Sequence, residues 1–274
     1  MKFTVVGAGG FIGSHLVRSL KAAGHDVTAL RRNDALPGGG LGHVIFAAGI
    51  TADFRERPFD TLRAHVTLPA DVLEKAQFES FCYLSSARIY SGAASTSEEA
   101  AILVHPELPD DLYNLSKLAG EALCLNHPNP RVRVVRLSNV VGGGGSPRDF
   151  VPAIVREALT HHHVLLHTAL DSEKDYIAIG DVLQLLPRIV MGGKRRIYNL
   201  ASGKNATHRQ ILEMIAARVP CTFAAEEGAP AVRFPPVSVR RIAEEFAYVP
   251  GDLGPALDEL IASLRRPEGS HAQR

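Results

Sequence analysis

Apolar residues return along this chain in two alternating rhythms. Short β-branched and aromatic runs give way to stretches in which apolar positions recur every three or four residues. Lys2 to Val6 is a run of the first kind and stops at Gly7-Ala8-Gly9-Gly10-Phe11-Ile12-Gly13. Phe11, Ile12, Leu16 and Leu20 follow at helical spacing up to Lys21, and Gly24 supplies the stop signal. Asp26 to Leu30 is a second strand, so strand, glycine turn, helix and strand make the first half of a doubly wound parallel sheet. His43 to Ala48 and Phe81 to Ser85 read as buried strands, separated by a helix over about Thr61 to Ala76. Leu112 to Leu125 is helical, and Arg131 to Leu137 is a strand leading into Ser138-Asn139-Val140-Val141-Gly142.

The pattern then changes. Gly142 to Pro147 is a glycine-rich loop, Phe150 to Leu159 a helix, and Asp175 to Ile179 a strand expected to return to the first domain. A helix over Thr207 to Arg218, a Pro-rich loop and a closing helix over Leu253 to Leu264 follow, and Pro267 to Arg274 is polar and expected to fray. The expected organisation is a Rossmann-like domain over 1–141, revisited at about 174–201. A small substrate lobe is expected from 142–173 and 202–268, with a ligand cleft between the two.

Composition narrows the function classes. The 274 residues are 46% hydrophobic, enough for a sizeable core, and a formal net charge of +1 gives no global field toward nucleic acid or a membrane surface. The basic cluster Lys194-Arg195-Arg196 lacks interleaved aromatics and reads as a polar turn. No uninterrupted apolar stretch reaches the roughly 18 residues of a membrane span. Met1 to Gly7 carries no charged leader, and Cys82, Cys124 and Cys221 are too widely spaced for a disulfide framework or a metal pair; a reducing cytoplasm is the expected location. His161-His162-His163 with His167 does not present one face and has no nearby carboxylate or cysteine to complete a ligand set, so no metal site is expected.

A glycine turn between strand and helix lets a pyrophosphate approach unpaired backbone N–H groups at the helix N-terminus. Gly7, Gly10 and Gly13, with Phe11 and Ile12 between them, satisfy the tight turn, the close phosphate approach and the close helix packing. The second strand ends in Leu30-Arg31-Arg32 where an acidic residue would select an unphosphorylated ribose. Arg31 and Arg32 favour a 2′-phosphate, hence NADP(H), with NAD(H) as the alternative.

Tyr113 and Lys117 stand four residues apart on one helix face. A phenol is a poor base at neutral pH, and a neighbouring ammonium, joined by a positive nicotinamide ring, lowers its pKa toward the working range. Ser86, just past an apolar strand, sits at the carboxyl edge of the sheet and can hydrogen-bond a substrate oxygen.

The segments Gly7-Ala8-Gly9-Gly10-Phe11-Ile12-Gly13, Leu84-Ser85-Ser86-Ala87-Arg88-Ile89-Tyr90 and Tyr113-Asn114-Leu115-Ser116-Lys117 resemble the extended short-chain dehydrogenase/reductase family, in its NAD(P)-dependent epimerase/dehydratase branch. Arg136 to Gly142, Lys174-Asp175-Tyr176-Ile177 and Tyr198-Asn199-Leu200-Ala201 resemble its later strands. The resemblance implies that Tyr113 is the acid/base, that Lys117 bonds the nicotinamide ribose, and that Ser86 orients the substrate oxygen. It adds Ala47, Ala48 and Gly49 to the cofactor contacts and Ala87 and Arg88 to the substrate contacts. It also implies Asn139, Lys174 and Arg233 as candidates for the diphosphate of a nucleotide-linked sugar.

Three departures refine this expectation. Ala87 and Arg88 stand where dehydratases of the family carry an acidic pair, which disfavours dehydration. Asn33 to Gly42 is too short for the helix and third strand that relatives insert, so the sheet is expected to lack that strand. His65 replaces an asparagine that in relatives binds water behind the lysine; it reads as a packed histidine, with a proton relay as the alternative. The sequence thus points to an NADPH-dependent reductase of a keto group on a nucleotide-linked sugar. An epimerase holding NAD, a reductase of a non-sugar ketone and a nucleotide sensor without turnover stand as rivals, and a homodimer as one assembly option.

Overall fold

The computed structural model describes residues 1–265. Its centre is a six-stranded, all-parallel sheet: β1 (Lys2–Val6), β2 (Asp26–Leu30), β3 (His43–Phe46), β4 (Ser80–Ser86), β5 (Val132–Leu137) and β9 (Ile197–Leu200), in the order β2-β1-β3-β4-β5-β9. The second strand is an edge, as the short connection after Leu30 predicts. With helices on both faces this is a Rossmann-like α/β architecture.

The strands read as continuous apolar runs because both faces are covered, and the two-residue period divides them between two cores. Phe3, Val5, Ile45, Cys82, Leu84, Val135 and Leu137 face one side, against Leu16 and Leu20 of α1 (Phe11–Ala22) and Val182 and Ile189 of α6 (Ile179–Gly192). Val6, Val44, Phe46, Phe81, Tyr83, Val132 and Val134 face the other, against Val72 of α3 (Leu68–Lys75) and Cys124 of α4 (Asp111–Leu125). The basic Arg196 serves this core: its guanidinium donates to the carbonyls of Cys124 and Leu125 at the end of α4, at 2.7 and 3.2 Å.

Three expectations about elements need correction. The helix over Thr61 to Ala76 is interrupted: α2 (Pro58–Leu62) passes through a π-helical turn at Arg63–Thr67 into α3. The strand at β8 (Glu173–Ala178) does not join the central sheet. It pairs with β6 (Asn139–Val141) and with β10 (Asn205–Thr207), because its alternate residues serve two cores: Ile177 faces the Rossmann core, Tyr176 and Ala178 the lobe core. The chain after 202 is not all lobe either. A helix that periodicity did not show, α8 (Arg240–Phe246), returns Ile242, Phe246 and Tyr248 to the central sheet.

The lobe itself is built from α5 (Phe150–His161), β7 (His163–Leu166), α7 (His208–Ala216), β11 (Thr222–Ala225) and α9 (Gly254–Arg265), around Val151, Val155, Ile211, Ile215, Leu257 and Leu260. The histidine run spans the turn from α5 to β7, where His162 adopts a left-handed φ of 54° and its ring contacts the Pro220 carbonyl at 3.1 Å. His163 bonds the Thr222 hydroxyl and His167 the Glu226 carboxylate. Among the described residues no helix is long and apolar enough to cross a membrane. The expected fraying of Pro267 to Arg274 lies outside the described residues.

Candidate active site

The glycine turn is shaped by close packing. Gly7 adopts a φ of +89°, and a Cβ there would lie 2.5 Å from the Ala48 nitrogen; a Cβ on Gly13 would lie 2.1 Å from the Gly7 carbonyl oxygen. These two glycines let β1, α1 and the loop after β3 touch. Gly9 and Gly10 are exposed, and Gly10 caps α1 with no side-chain hydrogen bond, so the first backbone N–H groups of the helix have no side-chain acceptor there. That donor set fits a pyrophosphate. Arg31 and Arg32 are exposed, with Arg31 Cγ 3.9 Å from where a Gly9 Cβ would stand, and among the described residues neither guanidinium has an ion-pair partner.

Beyond the turn, the loop after β3 brings Gly49 against the catalytic candidates. A Cβ on Gly49 would meet His65 Nε2 at 3.1 Å and Lys117 Nζ at 3.4 Å. Glycine thus keeps open the space in front of the lysine, as a ribose of a dinucleotide would require. Lys117 is 4% exposed and donates to the Leu84 carbonyl at 3.0 Å. Burial lowers its pKa to about 7, with the Glu121 carboxylate pulling the other way.

Tyr113 is 5% exposed, and its ring packs against Phe54 at 5.3 Å. Burial raises the phenol above its ordinary value; the Ser86 hydroxyl and the Arg88 guanidinium oppose that rise, while Asp149 adds to it. Lys117 Nζ lies 5.9 Å from the Tyr113 ring centre. Burial is thus the leading influence on this phenol, and the groups that oppose it are Ser86 and Arg88. Ser86 ends β4 and accepts from the Arg88 backbone N–H at 3.2 Å, which fixes its hydroxyl beside the tyrosine. Arg88 lies 5.0 Å from the Phe54 ring and 5.6 Å from the Tyr113 ring and pairs with Asp110 at 3.0 Å. Ala87, between them, is buried in a small core with Ile89 and Tyr90.

The structure thus brings Ser86, Arg88, Tyr113, Lys117 and Gly49 together at the carboxyl end of the sheet. Phe54 and Asp149 join them without a sequence signal. Phe54 sits in an irregular loop; Asp149 reads only as the residue before α5, and nothing local places it near a tyrosine in another domain. The diphosphate candidates are less uniform. Asn139 is exposed but spends its amide N–H on the Asp175 carbonyl at 2.8 Å. Arg233 is exposed and ion-paired with Asp171 at 2.7 Å. Lys174 is half-buried, with its ammonium 6.0 Å from the Phe150 ring and 5.8 Å from the Phe234 ring, and burial and Arg88 lower its pKa.

With this geometry in place, comparison with known proteins decides the family. The model of the NAD dependent epimerase/dehydratase family matches residues 3–201. The chain belongs to that family. It is 26% identical over 253 residues to a dTDP-glucose 4,6-dehydratase of Streptomyces griseus, covering 77% of this chain and 76% of that one. It is 26% identical over 182 residues to GDP-mannose 3,5-epimerase 1 of Oryza sativa subsp. japonica, where the match spans 53% of this chain and only 48% of the rice protein. Among solved structures, MoeE5 in complex with UDP-glucose and NAD superposes with a TM-score of 0.79 at 22% identity, covering 97% of this chain and 99% of that one. RMD from Pseudomonas aeruginosa complexed with NADPH gives 0.78 at 24% identity, covering 96% and 98%. The likeness to these solved structures establishes the fold, a Rossmann-like sheet with a smaller lobe, over almost the whole chain.

Proposed function

We propose that this family member is an NADPH-dependent reductase of a keto group on a nucleotide-linked sugar. The observation that carries the reading is the buried Tyr113 phenol held beside Ser86 at the carboxyl end of β4, with Lys117 behind an open glycine. The Gly7 turn, Ala47, Ala48, Gly49 and Lys117 would hold a dinucleotide, which when bound would supply the hydride chemistry.

The protein's own residues handle the oxygen and the proton. Burial keeps Tyr113 protonated at neutral pH, so it is poised as an acid: its hydroxyl gives a proton to the oxygen of a carbonyl as the carbon is reduced. Ser86 donates to the same oxygen and stabilises its developing negative charge. Lys117, with a pKa of about 7, holds a ribose hydroxyl and can pass a proton toward the phenolate left behind. Exposed Arg31 and Arg32 at the end of β2 favour the phosphorylated dinucleotide. Lys174, Asn139 and Arg233 border the lobe side, where a diphosphate would lie.

An epimerase retaining NAD is the second reading, favoured by the rice relative and by the NAD in the MoeE5 complex. Dehydration is disfavoured, because Arg88, paired with Asp110, stands where a carboxylate is needed. A homodimer is the assembly we favour, since Phe59 and Leu62 of α2 and Leu123 of α4 are exposed apolar side chains that a second copy would cover.

The deciding experiment mixes purified protein with NADPH and a panel of keto-sugar nucleotides. Stoichiometric NADPH oxidation, abolished in Tyr113→Phe with dinucleotide affinity retained, is the expected result. Retained NAD with an epimerised product and no net redox change would favour the epimerase, and near-normal turnover in Tyr113→Phe would refute the tyrosine's role.

A further inference from the structure

His65 lies in the π-helical turn between α2 and α3 and is fully buried. Both of its ring nitrogens are used. Nε2 stands 3.1 Å from the Ile50 backbone nitrogen, and since that N–H can only donate, Nε2 must be unprotonated. Nδ1 lies 2.8 Å from Ser116 Oγ, whose own hydrogen goes to the Tyr113 carbonyl at 2.8 Å. Nδ1–H therefore donates to Ser116, and the tautomer is fixed by its neighbours.

The imidazole closes an unbroken chain from the loop after β3, through Ser116, to the backbone of the catalytic candidate. Its ring also meets the Tyr113 ring edge-on at 5.4 Å. The backbone of the same residue is equally engaged: the His65 carbonyl accepts from the Tyr83 hydroxyl at 3.0 Å, and a Cβ on Gly120 would come within 2.5 Å of that carbonyl. Proton carriage has no route here. Taking up a proton at Nε2 would set an N–H against the Ile50 N–H, and burial with Lys117 nearby lowers the ring's pKa to about 2.

We infer that His65 is a permanently neutral positioning residue that spaces the Gly49–Ile50 loop from the helix carrying Tyr113 and Lys117. The two nitrogens divide the task. Nε2 holds the loop that borders the cofactor space, and Nδ1, through Ser116, holds the Tyr113 end of α4. The inference rests on the enzymatic reading for its kinetic arm, but its binding arm does not need turnover.

Two variants separate the halves. His65→Leu removes both links and is expected to weaken the Kd for NADP+ and NAD+ by about tenfold each and to lower kcat by at least about tenfold. Ser116→Ala cuts only the link to Tyr113, and is expected to leave both Kd values within about twofold while kcat falls several-fold. His65→Gln, whose Oε1 stands near the Nε2 position and can still accept from Ile50, should recover most of the dinucleotide affinity and little of kcat. An unchanged Kd in folded His65→Leu, or an unchanged kcat in Ser116→Ala, overturns the assignment. So does rescue of His65→Leu turnover by added imidazole, which would make the ring a proton carrier. Should His65→Leu not fold, Ser116→Ala and His65→Gln carry the same contrast. Absence of wild-type turnover with every keto-sugar nucleotide would count against the reductase reading alone, because the Kd contrast between His65→Leu and His65→Gln still reads the strut.

Discussion

Lys117 Nζ donates to the Leu84 carbonyl at 3.0 Å, so the strand that ends in Ser86 holds the lysine that stands beside Tyr113. The bond joins the two halves of the candidate site across the sheet edge. It also explains how an amine that is 4% exposed is tolerated there, since a buried donor without a partner would be destabilising.

Lys117→Met should abolish turnover and raise thermal stability at neutral pH. The folded lysine has a pKa of about 7 against an ordinary 10.5. Holding its charge in the core therefore opposes folding below pH 7, and that opposition fades as pH rises toward 10.5. At about 1.4 kcal/mol per unit the upper bound is on the order of 4–5 kcal/mol. Loss of the donor to Leu84 offsets part of this, leaving a Tm gain of roughly 5 °C at pH 7. Calorimetry across pH should show the gain shrinking by pH 10.

Replacing Arg31 and Arg32 together with Ala should weaken NADP+ at least about tenfold and NAD+ by less than about threefold, because only a 2′-phosphate accepts charge-assisted bonds from a guanidinium. Isothermal titration with both dinucleotides measures it. Equal losses would remove the basis for preferring reduction with NADPH.

Glu121→Gln should destabilise the protein by about 3–5 kcal/mol, because Arg136 would be left as a buried charge without its partner. The pair is 2.6 Å apart with both side chains almost wholly enclosed. The double variant Glu121→Gln with Arg136→Met should recover much of the loss in urea denaturation, since it removes the stranded charge.

His208 should make the lobe acid-sensitive. Burial, then Lys174, lowers its pKa to about 4 from 6.5, while its ring stacks on Phe150 at 4.2 Å. The unfolded chain takes up the proton first, so stability present above pH 6.5 is lost as pH falls toward 4, by about 1.4 kcal/mol per unit. His208→Phe keeps the stacking and should flatten that part of the urea midpoint against pH. A slope unchanged from wild type would refute it.

Local sequence determined much of this protein. Most strands and helices, the glycine turn and the shared face of Tyr113 and Lys117 follow from spacings within a few residues, which short-range periodicity reports directly, and the missing strand after Leu30 follows from the short Asn33 to Gly42 connection set against the family resemblance. Only the tertiary structure could decide the rest. It put β8 between two cores, returned α8 to the sheet, interrupted a helix at His65, brought Phe54 and Asp149 to the tyrosine, and let burial outweigh Ser86 and Arg88 in setting the phenol's acidity. Each of these depends on groups far apart in the chain meeting in a medium from which water is excluded. There the strength of a charge or hydrogen bond is fixed by its surroundings, which no local pattern of residues encodes.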